Sequence, residues 1–208
     1  MGTGGSLRNR VPGSHRKALI LAAALERFSA QGFQATSMAE IAEKANVTKP
    51  VIYQHFTSKR ELYRRLLEKV GSDLTDAIRL ATAEHDLPRE RLAAGMTAYF
   101  KFIFDNRHGY LLLFGSGSRR DPEFAEVITR LELSIAELVS ERVTGVHEDQ
   151  YRRFIAFSLI GMAQGAARSY IAGIPEEGNT GFENSVARVR ARQAAEILWF
   201  GLKHSIET

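Results

Sequence analysis

The stretch VTKPVIYQHFTSK, residues 47–59, concentrates side chains of the kinds that bind nucleic acid. Lys49 and Lys59 supply cationic hydrogen-bond donors, and Tyr53 adds a hydroxyl group. Pro50 offers a methylene surface that can contact a thymine methyl group. Such groups grip phosphate oxygens or read base edges in a major groove. The stretch therefore indicates contact with DNA, and a basic surface that only faces solvent is the alternative.

Charge is distributed unevenly along the chain. Residues 1–70 carry 12 Lys and Arg against 5 Asp and Glu, a net charge of +7. The whole chain has 28 basic and 24 acidic residues, which leaves 16 against 19, or −3, for the remainder. This asymmetry predicts a polyanionic partner for the N-terminal part.

Hydrophobic periodicity predicts an all-α fold. Apolar residues recur at helical spacing almost throughout the 208 residues, and two-residue alternation is nowhere sustained. No apolar run reaches the roughly 20 residues of a membrane span, and the N-terminus lacks the apolar centre of a signal peptide. The chain has no cysteine, which fits a reducing compartment. We expect a cytoplasmic protein with no membrane contact and a disordered arm over residues 1–13.

Two short helices are predicted on either side of Asn46. Ser37 and Glu40 form a capping box that begins the first helix, and Thr48 caps the second. Asn46 tolerates a left-handed backbone, so the chain can turn sharply there. The predicted buried positions are Met38, Ile41, Ala42, Ala45, Ile52 and Phe56. Two short helices joined by a tight turn form a helix-turn-helix.

Longer helices flank this motif. A helix from about residue 14 to residue 30 precedes it, and Gly32 supplies a C-terminal stop. Ser58 and Glu61 form a second capping box, which opens a helix that runs to about Glu84. The N-terminus of that helix and Lys59 could both bind a phosphate group.

The stretch from Phe28 to Leu62 resembles the DNA-binding domain of TetR-family transcriptional regulators. Its YxHFxSKxxL run is specific, and Asn46 stands where the family usually has Gly, with the same backbone requirement. The matching positions are Phe28, Gly32, Thr36, Ile41, Ala42, Ala45, Val47, Thr48, Lys49, Tyr53, His55, Phe56, Lys59 and Leu62. The resemblance implies an all-helical homodimer with three N-terminal helices for DNA and a larger ligand-binding body.

We accordingly predict a helix-turn-helix DNA-binding domain over residues 14–58 and a helical ligand-binding and dimerisation domain over residues 59–208. Lys49 and Pro50 are expected to contact base edges, and Tyr53 to contact a phosphate. The full set of predicted DNA contacts is Thr36, Ser37, Thr48, Lys49, Pro50, Tyr53, His55 and Lys59.

Aromatic residues are dense between residues 89 and 172. They could line an apolar cavity with a few polar groups, although an ordinary helical core would need similar residues. The predicted ligand-binding residues are Tyr99, Phe102, Phe114, Phe157, Gln164 and Arg168. Gly161 and Gly165 predict close approach of a neighbour, and the resemblance places the last two helices in a four-helix dimer interface.

Catalytic and metal-binding patterns are absent from the sequence. His85, His108 and His147 are scattered, no HExxH or GxSxG motif occurs, and Glu176 and Glu177 fall in a predicted loop. The run GSGSRR fits no phosphate-binding motif and is interpreted as an interhelical loop, the alternative being a site for a phosphorylated acyl ligand such as acyl-CoA. We predict neither enzyme activity nor a cofactor.

The predicted function is a ligand-responsive transcriptional regulator that binds double-stranded DNA as a homodimer. We expect a repressor, released from a pseudo-palindromic operator when a small hydrophobic effector shifts the dimer to a spacing that no longer matches the grooves. The alternative is a helical protein-interaction module with a solvated basic face and no specific operator.

Overall fold

The computed structural model describes residues 13–115, 117–141, 148–173, 181–182 and 185–206. All the regular secondary structure in these ranges is helical, which confirms the predicted all-α class. The helices are α1 (Gly13–Ala35), α2 (Met38–Lys44), α3 (Lys49–His55), α4 (Lys59–Ala83), α5 (Pro88–Asp105), α6 (Arg107–Phe114), α7 (Pro122–Ser140), α8 (Asp149–Gly173) and α9 (Val186–Ile206). The predictions for residues 1–12, Ser116, His147, Glu176 and Glu177 lie outside the described residues.

The chain forms two compact units, Met1–Leu66 and Leu67–Thr208. The first unit thus extends past residue 58, where we predicted the end of the DNA-binding domain, and takes in the first turns of α4. None of the helices described above is long and apolar enough to cross a membrane.

Helix α1 contains a kink rather than an end at Gly32. The backbone there has φ 79° and ψ 170°, a conformation that is essentially restricted to glycine, and helical residues resume up to Ala35. The kink brings Phe33 against Tyr63, with ring centroids 5.1 Å apart, and Phe28 packs edge-on against Tyr63 at 4.9 Å. Burial raises the pKa of Tyr63 to about 12.

The helix-turn-helix forms as predicted. Ser37 and Glu40 make both bonds of the capping box, and Asn46 has a positive φ of 51° in the turn. Pro50 lies in the first turn of α3, where no backbone donor is lost. Each position predicted to be buried in this motif is buried, namely Met38, Ile41, Ala42, Ala45, Ile52 and Phe56.

In the second unit, α5 packs against α9, and α7 packs against α8. The side chain of Asp121 accepts a hydrogen bond from the backbone N–H of Glu123 at 3.1 Å, so it caps α7. Helix α6 begins at Arg107, and Asn106 alone separates it from α5. The largest fully buried side chains in this unit are Leu67, Leu74, Phe100, Ile103, Leu113, Phe124 and Ile128.

Candidate nucleic-acid interface and ligand cavity

Helix α3 has one buried face and one exposed face. Ile52 and Phe56 are almost fully buried and anchor the helix in the first unit. Lys49 and Pro50 are exposed at its N-terminal end, and Tyr53 is 45% exposed one turn later. The structure thus brings a cation, an apolar ring and a hydroxyl group onto one surface.

The exposed side of α3 includes one residue that the sequence reasoning missed. Gln54 is exposed next to Tyr53, and a glutamine amide can bind the N6 and N7 edge of adenine with two hydrogen bonds. Its residue type and its place between Tyr53 and His55 were the available indications. His55 is only half-buried and lies beside the ring of Phe56.

Of the two predicted N-cap residues, Ser37 makes a capping hydrogen bond with its side chain and Thr48 does not. The Ser37 hydroxyl accepts a bond from the N–H of Glu40 at 3.2 Å, which leaves its own O–H available as a donor. Thr48 occupies the N-cap position of α3, but its side chain makes no capping hydrogen bond. The hydroxyl of Thr48 therefore stays exposed, whereas we expected it to cap α3.

The side chain of Thr36 is buried and bonded within the protein, so it does not face DNA. It is 1% exposed, and its hydroxyl donates to the carbonyl oxygen of Gly32 at 2.8 Å, with a longer contact of 3.3 Å to that of Arg27. Its predicted contact with DNA is not available to this hydroxyl. The side chain instead secures the kink in α1.

Lys59 is also engaged within the fold. Its ammonium group donates to the carbonyl oxygens of Phe33 and Thr36, both at 2.8 Å, and to that of Gln34 at 3.3 Å. The same nitrogen lies 4.6 Å from the centroid of the Phe33 ring. An ammonium group has three N–H donors, so these carbonyls occupy all of them. The cation holds the carbonyl end of α1, where the helix dipole favours positive charge.

The second capping box differs from the predicted pattern by one residue. The Ser58 hydroxyl accepts from the N–H of Glu61 at 3.0 Å, as expected. The carboxylate of Glu61 returns to Thr57 rather than Ser58, accepting from its N–H at 2.7 Å and its hydroxyl at 2.6 Å. Hydrogen bonds from Thr57 lower the pKa of Glu61, and bonds from Ser37 lower the pKa of Glu40 in the same way.

A cavity of about 160 Å³ lies within the second unit. Helices α4 to α9 all contribute to its wall, and most of the lining is apolar. Tyr99, Phe114 and Gln164 line it, among the residues predicted to bind a ligand. Other lining residues are Leu74, Ile78, Thr82, Met96, Glu132, Ile135, Leu138, Leu159, Leu198 and Trp199.

The other three predicted ligand-binding residues lie elsewhere. Phe102 is buried, and its ring packs toward Gly109 of α6. Phe157 is 43% exposed and borders a shallow groove on the outside of α7 and α8. Arg168 is exposed, although its charge acts on the hydroxyl groups of Tyr99 and Tyr110. The density of aromatic residues in the sequence could not show which of these side chains face the cavity.

Glu132 is a polar cavity residue that the sequence reasoning missed. Its side chain is 18% exposed, forms an ion pair with Arg119 and accepts a hydrogen bond from Gln164 Nε2 at 2.9 Å. A lone carboxylate between Leu131 and Ile135 in the apolar stripe of α7 was the available indication. Arg119, which we had considered for a phosphorylated ligand, is exposed and forms its ion pair with Glu132.

Helices α8 and α9 carry exposed apolar residues. A Cβ atom added at Gly161 or Gly165 would meet no atom within 4 Å among the described residues, so the predicted close neighbour is not found there. Ile197 is the most exposed of the large apolar side chains that the structure describes on α9, at 70%. Other large apolar side chains exposed on these helices are Phe154, Phe157, Met162, Val186, Val189 and Phe200.

Comparison with known proteins decides the family. Residues 20–66 match the sequence profile of bacterial regulatory proteins of the tetR family. The chain is 34% identical to the HTH-type transcriptional activator FasR of Mycolicibacterium smegmatis over 207 residues, which cover 97% of this chain and 90% of that protein. The chain belongs to the TetR family. It is therefore a DNA-binding transcriptional regulator, and the protein-interaction module is set aside.

Solved structures of TetR-family proteins share the whole fold. A TetR-like regulator from Rhodococcus sp. RHA1 matches with a TM-score of 0.74 and 25% identity, over 93% of this chain and 98% of that one. The regulator FadR from Bacillus subtilis, in complex with stearoyl-CoA, matches with a TM-score of 0.72 and 15% identity, over 87% of this chain and 96% of that one. At 15% identity, the similarity to the Bacillus subtilis FadR shows a shared fold only.

Proposed function

We propose that this TetR-family regulator binds a pseudo-palindromic operator as a homodimer and responds to a small hydrophobic effector held in its second unit. The observation that carries the proposal is the exposed face of α3, where Lys49, Pro50 and Tyr53 lie opposite the buried anchors Ile52 and Phe56. A short helix fixed in this way can enter a major groove by its N-terminal end. The protein acts in the cytoplasm, where its operator is found.

The DNA contacts divide by chemistry. Lys49 and Pro50, at the start of α3, are proposed to reach base edges, and Gln54 joins them because its amide is exposed beside them. Phosphate contacts are proposed for Tyr53, which supplies an O–H donor, and for His55, which supplies a ring N–H donor. The exposed hydroxyl groups of Ser37 and Thr48 complete this set of phosphate contacts.

Thr36 and Lys59 are given a different role from the one their residue types predict. Their polar groups are bonded to backbone carbonyls at the end of α1. We propose that they hold the backbone segment that leads to Ser37 in place. They would then affect DNA binding by positioning α2 and α3, without contacting DNA themselves.

The effector site is proposed to be the cavity lined by Tyr99, Phe114 and Gln164. Its apolar wall suits a hydrophobic ligand, and Gln164 and Glu132 could orient a polar end. The volume of about 160 Å³ is below the roughly 300 Å³ at which drug-sized sites begin, so a long-chain effector would have to widen it. A protein of the same fold, the FadR of Bacillus subtilis, was solved with stearoyl-CoA, which supports an acyl-like class.

The dimer is proposed to form through α8 and α9. The exposed apolar side chains of these helices and the open surfaces at Gly161 and Gly165 suit close packing against a second copy. An effector changes operator affinity only if it binds the two dimer states differently. The sequence predicted a repressor, but the relative from Mycolicibacterium smegmatis is named an activator. The position of the operator relative to the promoter decides between these outcomes.

Genomic footprinting of the tagged protein tests the DNA-binding proposal. We expect enrichment at inverted repeats whose half-sites lie about one helical turn apart. A Tyr53→Phe variant should weaken binding to operator and to random DNA alike, because a phosphate contact carries little sequence information. Enrichment without any inverted repeat would contradict the proposed mode of binding.

The effector proposal is tested by thermal denaturation with apolar compounds of increasing chain length. A compound that binds the native protein raises its melting temperature. Leu159 lines the cavity, so a Leu159→Trp variant places a larger side chain in it. This variant should show no rise in melting temperature with the compound and should still bind the operator. A rise that survives in this variant would place the effector elsewhere.

A further inference from the structure

Lys17 on α1 carries a charge that no partner among the described residues neutralises. Its side chain is exposed, and its ammonium group makes no ion pair or hydrogen bond within those residues. Two other lysines of the first unit are engaged. Lys44 pairs with Glu26 at 2.6 Å, and Lys59 binds three backbone carbonyl oxygens. The charge of Lys17 is therefore available to a partner outside the chain.

The ammonium group of Lys17 lies at the C-terminal end of α3. Phe56 is the C-cap residue of that helix, and Nζ of Lys17 lies 5.8 Å from the centroid of the Phe56 ring. This distance is within the range of a cation–π contact. The Phe56 side chain is almost fully buried, so the contact favours a position of the ammonium group at this end of the helix. No hydrogen bond occupies the three N–H donors that an ammonium group has.

The length of α3 indicates where this end of the helix lies when its other end is in a major groove. The helix has seven residues, which at about 1.5 Å per residue give a length of roughly 10 Å. The major groove is about 8.5 Å deep. When Lys49 and Pro50 at the N-terminal end touch base edges, the C-terminal end is therefore at the level of the phosphates that border the groove.

A phosphate group at this position needs a cation beside it. The last carbonyl groups of a helix give its C-terminal end a partial negative charge, equivalent to about half an elementary charge, which repels an anion. Lys17 belongs to a different helix and places its positive charge at this end of α3. The cation therefore lies where α3 alone would be unfavourable for the DNA backbone.

We propose that Lys17 binds a phosphate group of the DNA backbone at the edge of the major groove that α3 occupies. The contact is to the backbone, so it contributes affinity without reading base sequence. This inference rests on the proposed insertion of α3 into the groove, and it adds a residue of α1 to the DNA interface.

The experiment measures the affinity of the full chain for a random-sequence DNA duplex at several salt concentrations. A phosphate contact forms on any sequence, so no operator is needed. Wild type is compared with Lys17→Gln, which removes the charge, and with Lys17→Arg, which keeps it. The control is Lys69→Gln, because Lys69 is an exposed lysine of α4 whose charge is already paired with Asp73 at 2.8 Å.

The salt dependence of binding is the quantity that reports a phosphate contact. Losing one such contact lowers the slope of log affinity against log salt concentration by about one unit for each bound protomer. The affinity ratio of wild type to Lys17→Gln should therefore shrink roughly three- to fourfold per protomer between about 50 mM and about 200 mM salt. We expect Lys17→Arg and Lys69→Gln to keep the wild-type slope.

Thermal denaturation of the same variants separates DNA contact from a purely structural role. If Lys17 only stabilises the end of α3, Lys17→Gln lowers the melting temperature and leaves the salt slope unchanged. An unchanged slope overturns the proposal at any melting temperature. An equal fall in slope for Lys69→Gln would also overturn it, because net charge alone would then explain the effect. A flatter slope for Lys17→Gln alone supports the contact, even if genomic footprinting finds no inverted repeat and the proposed operator fails.

Discussion

Two sites, one in each unit of the chain, differ in how their polar groups are bonded. In the first unit, Thr36 and Lys59 bond to backbone carbonyls at the end of α1. In the second, the hydroxyl groups of Tyr99, which lines a cavity, and of Tyr110 have no hydrogen bond to another side chain or backbone group of the described residues. A surface that reads DNA benefits from side chains held in one geometry. A site for an exchangeable ligand keeps bonding capacity that only the ligand satisfies.

The exposed surfaces of the two units also differ in polarity. The first unit exposes charged and polar groups on α3, while the second exposes large apolar side chains on α8 and α9. A polar surface remains solvated in water when no DNA is bound. A contiguous apolar surface, by contrast, is typical of a permanent protein interface. The comparison therefore predicts that DNA binding is reversible and that the dimer is obligatory.

The largest expected effect comes from breaking the apolar surface. Ile197→Glu places a charge at a 70% exposed position of α9, where a partner subunit would have to desolvate it. We expect a monomer in sedimentation equilibrium and a loss of operator affinity of about 10²-fold or more, because two linked half-sites no longer bind together. Leu80→Glu, at an exposed leucine of α4, is the matched control. An unchanged dimer would contradict the assignment of this surface.

The next effect concerns the rigidity of the first unit. Lys59→Ala removes a cation that binds three carbonyl oxygens, and we expect a loss of about 1.5–3 kcal/mol in the free energy of unfolding. The dependence of operator affinity on salt should keep its slope, because no phosphate contact is lost. Urea unfolding and binding titrations at several salt concentrations measure the two quantities.

Lys49→Ala is the control for this prediction. Lys49 is exposed, so its removal should leave the free energy of unfolding within about 0.5 kcal/mol of wild type. It should instead cost about 1–3 kcal/mol in operator binding and relax the preference at one base pair. If Lys59→Ala were to flatten the salt dependence by about one unit with no loss of stability, Lys59 would belong to the phosphate contacts after all.

A third effect tests the kink that both Thr36 and Lys59 secure. Gly32→Ala forces a side chain into a backbone conformation that is essentially restricted to glycine, at an expected cost of about 1–3 kcal/mol. Space is not the cause, since no atom lies within 4 Å of the added Cβ among the described residues. Gln31→Ala, one residue earlier and exposed, should have little effect. Similar unfolding midpoints for the two variants would show that the kink carries no strain.

The sequence predicted the first unit better than the second for a physical reason. Capping boxes, the turn at Asn46 and the anchors Ile52 and Phe56 depend on neighbours within a few residues, so their spacing is visible in the chain. The cavity is assembled from helices far apart in sequence, and helix periodicity could not tell which face of α5 or α8 would border it. The bonds that Lys59 makes to backbone carbonyls were not predicted, because these carbonyls lie 23 to 26 residues away in the sequence.

The smallest expected effect concerns the pH dependence that the two capping boxes share. Hydrogen bonds from Ser37 and Thr57 lower the pKa values of Glu40 and Glu61 below 4.5 in the folded protein. Between the folded values and 4.5 the unfolded chain binds more protons, so the stabilisation is present above pH 4.5 and is lost as the pH falls through the folded values. Glutamine can still occupy this position of a capping box, so Glu40→Gln with Glu61→Gln should keep the fold and flatten this acid dependence. Urea unfolding between pH 5.5 and pH 3 measures it, with Glu43→Gln on the exposed side of α2 as a control that removes one carboxylate outside the capping boxes. An acid slope that is unchanged in the double variant would mean that other carboxylates govern it, and that the caps contribute through geometry alone.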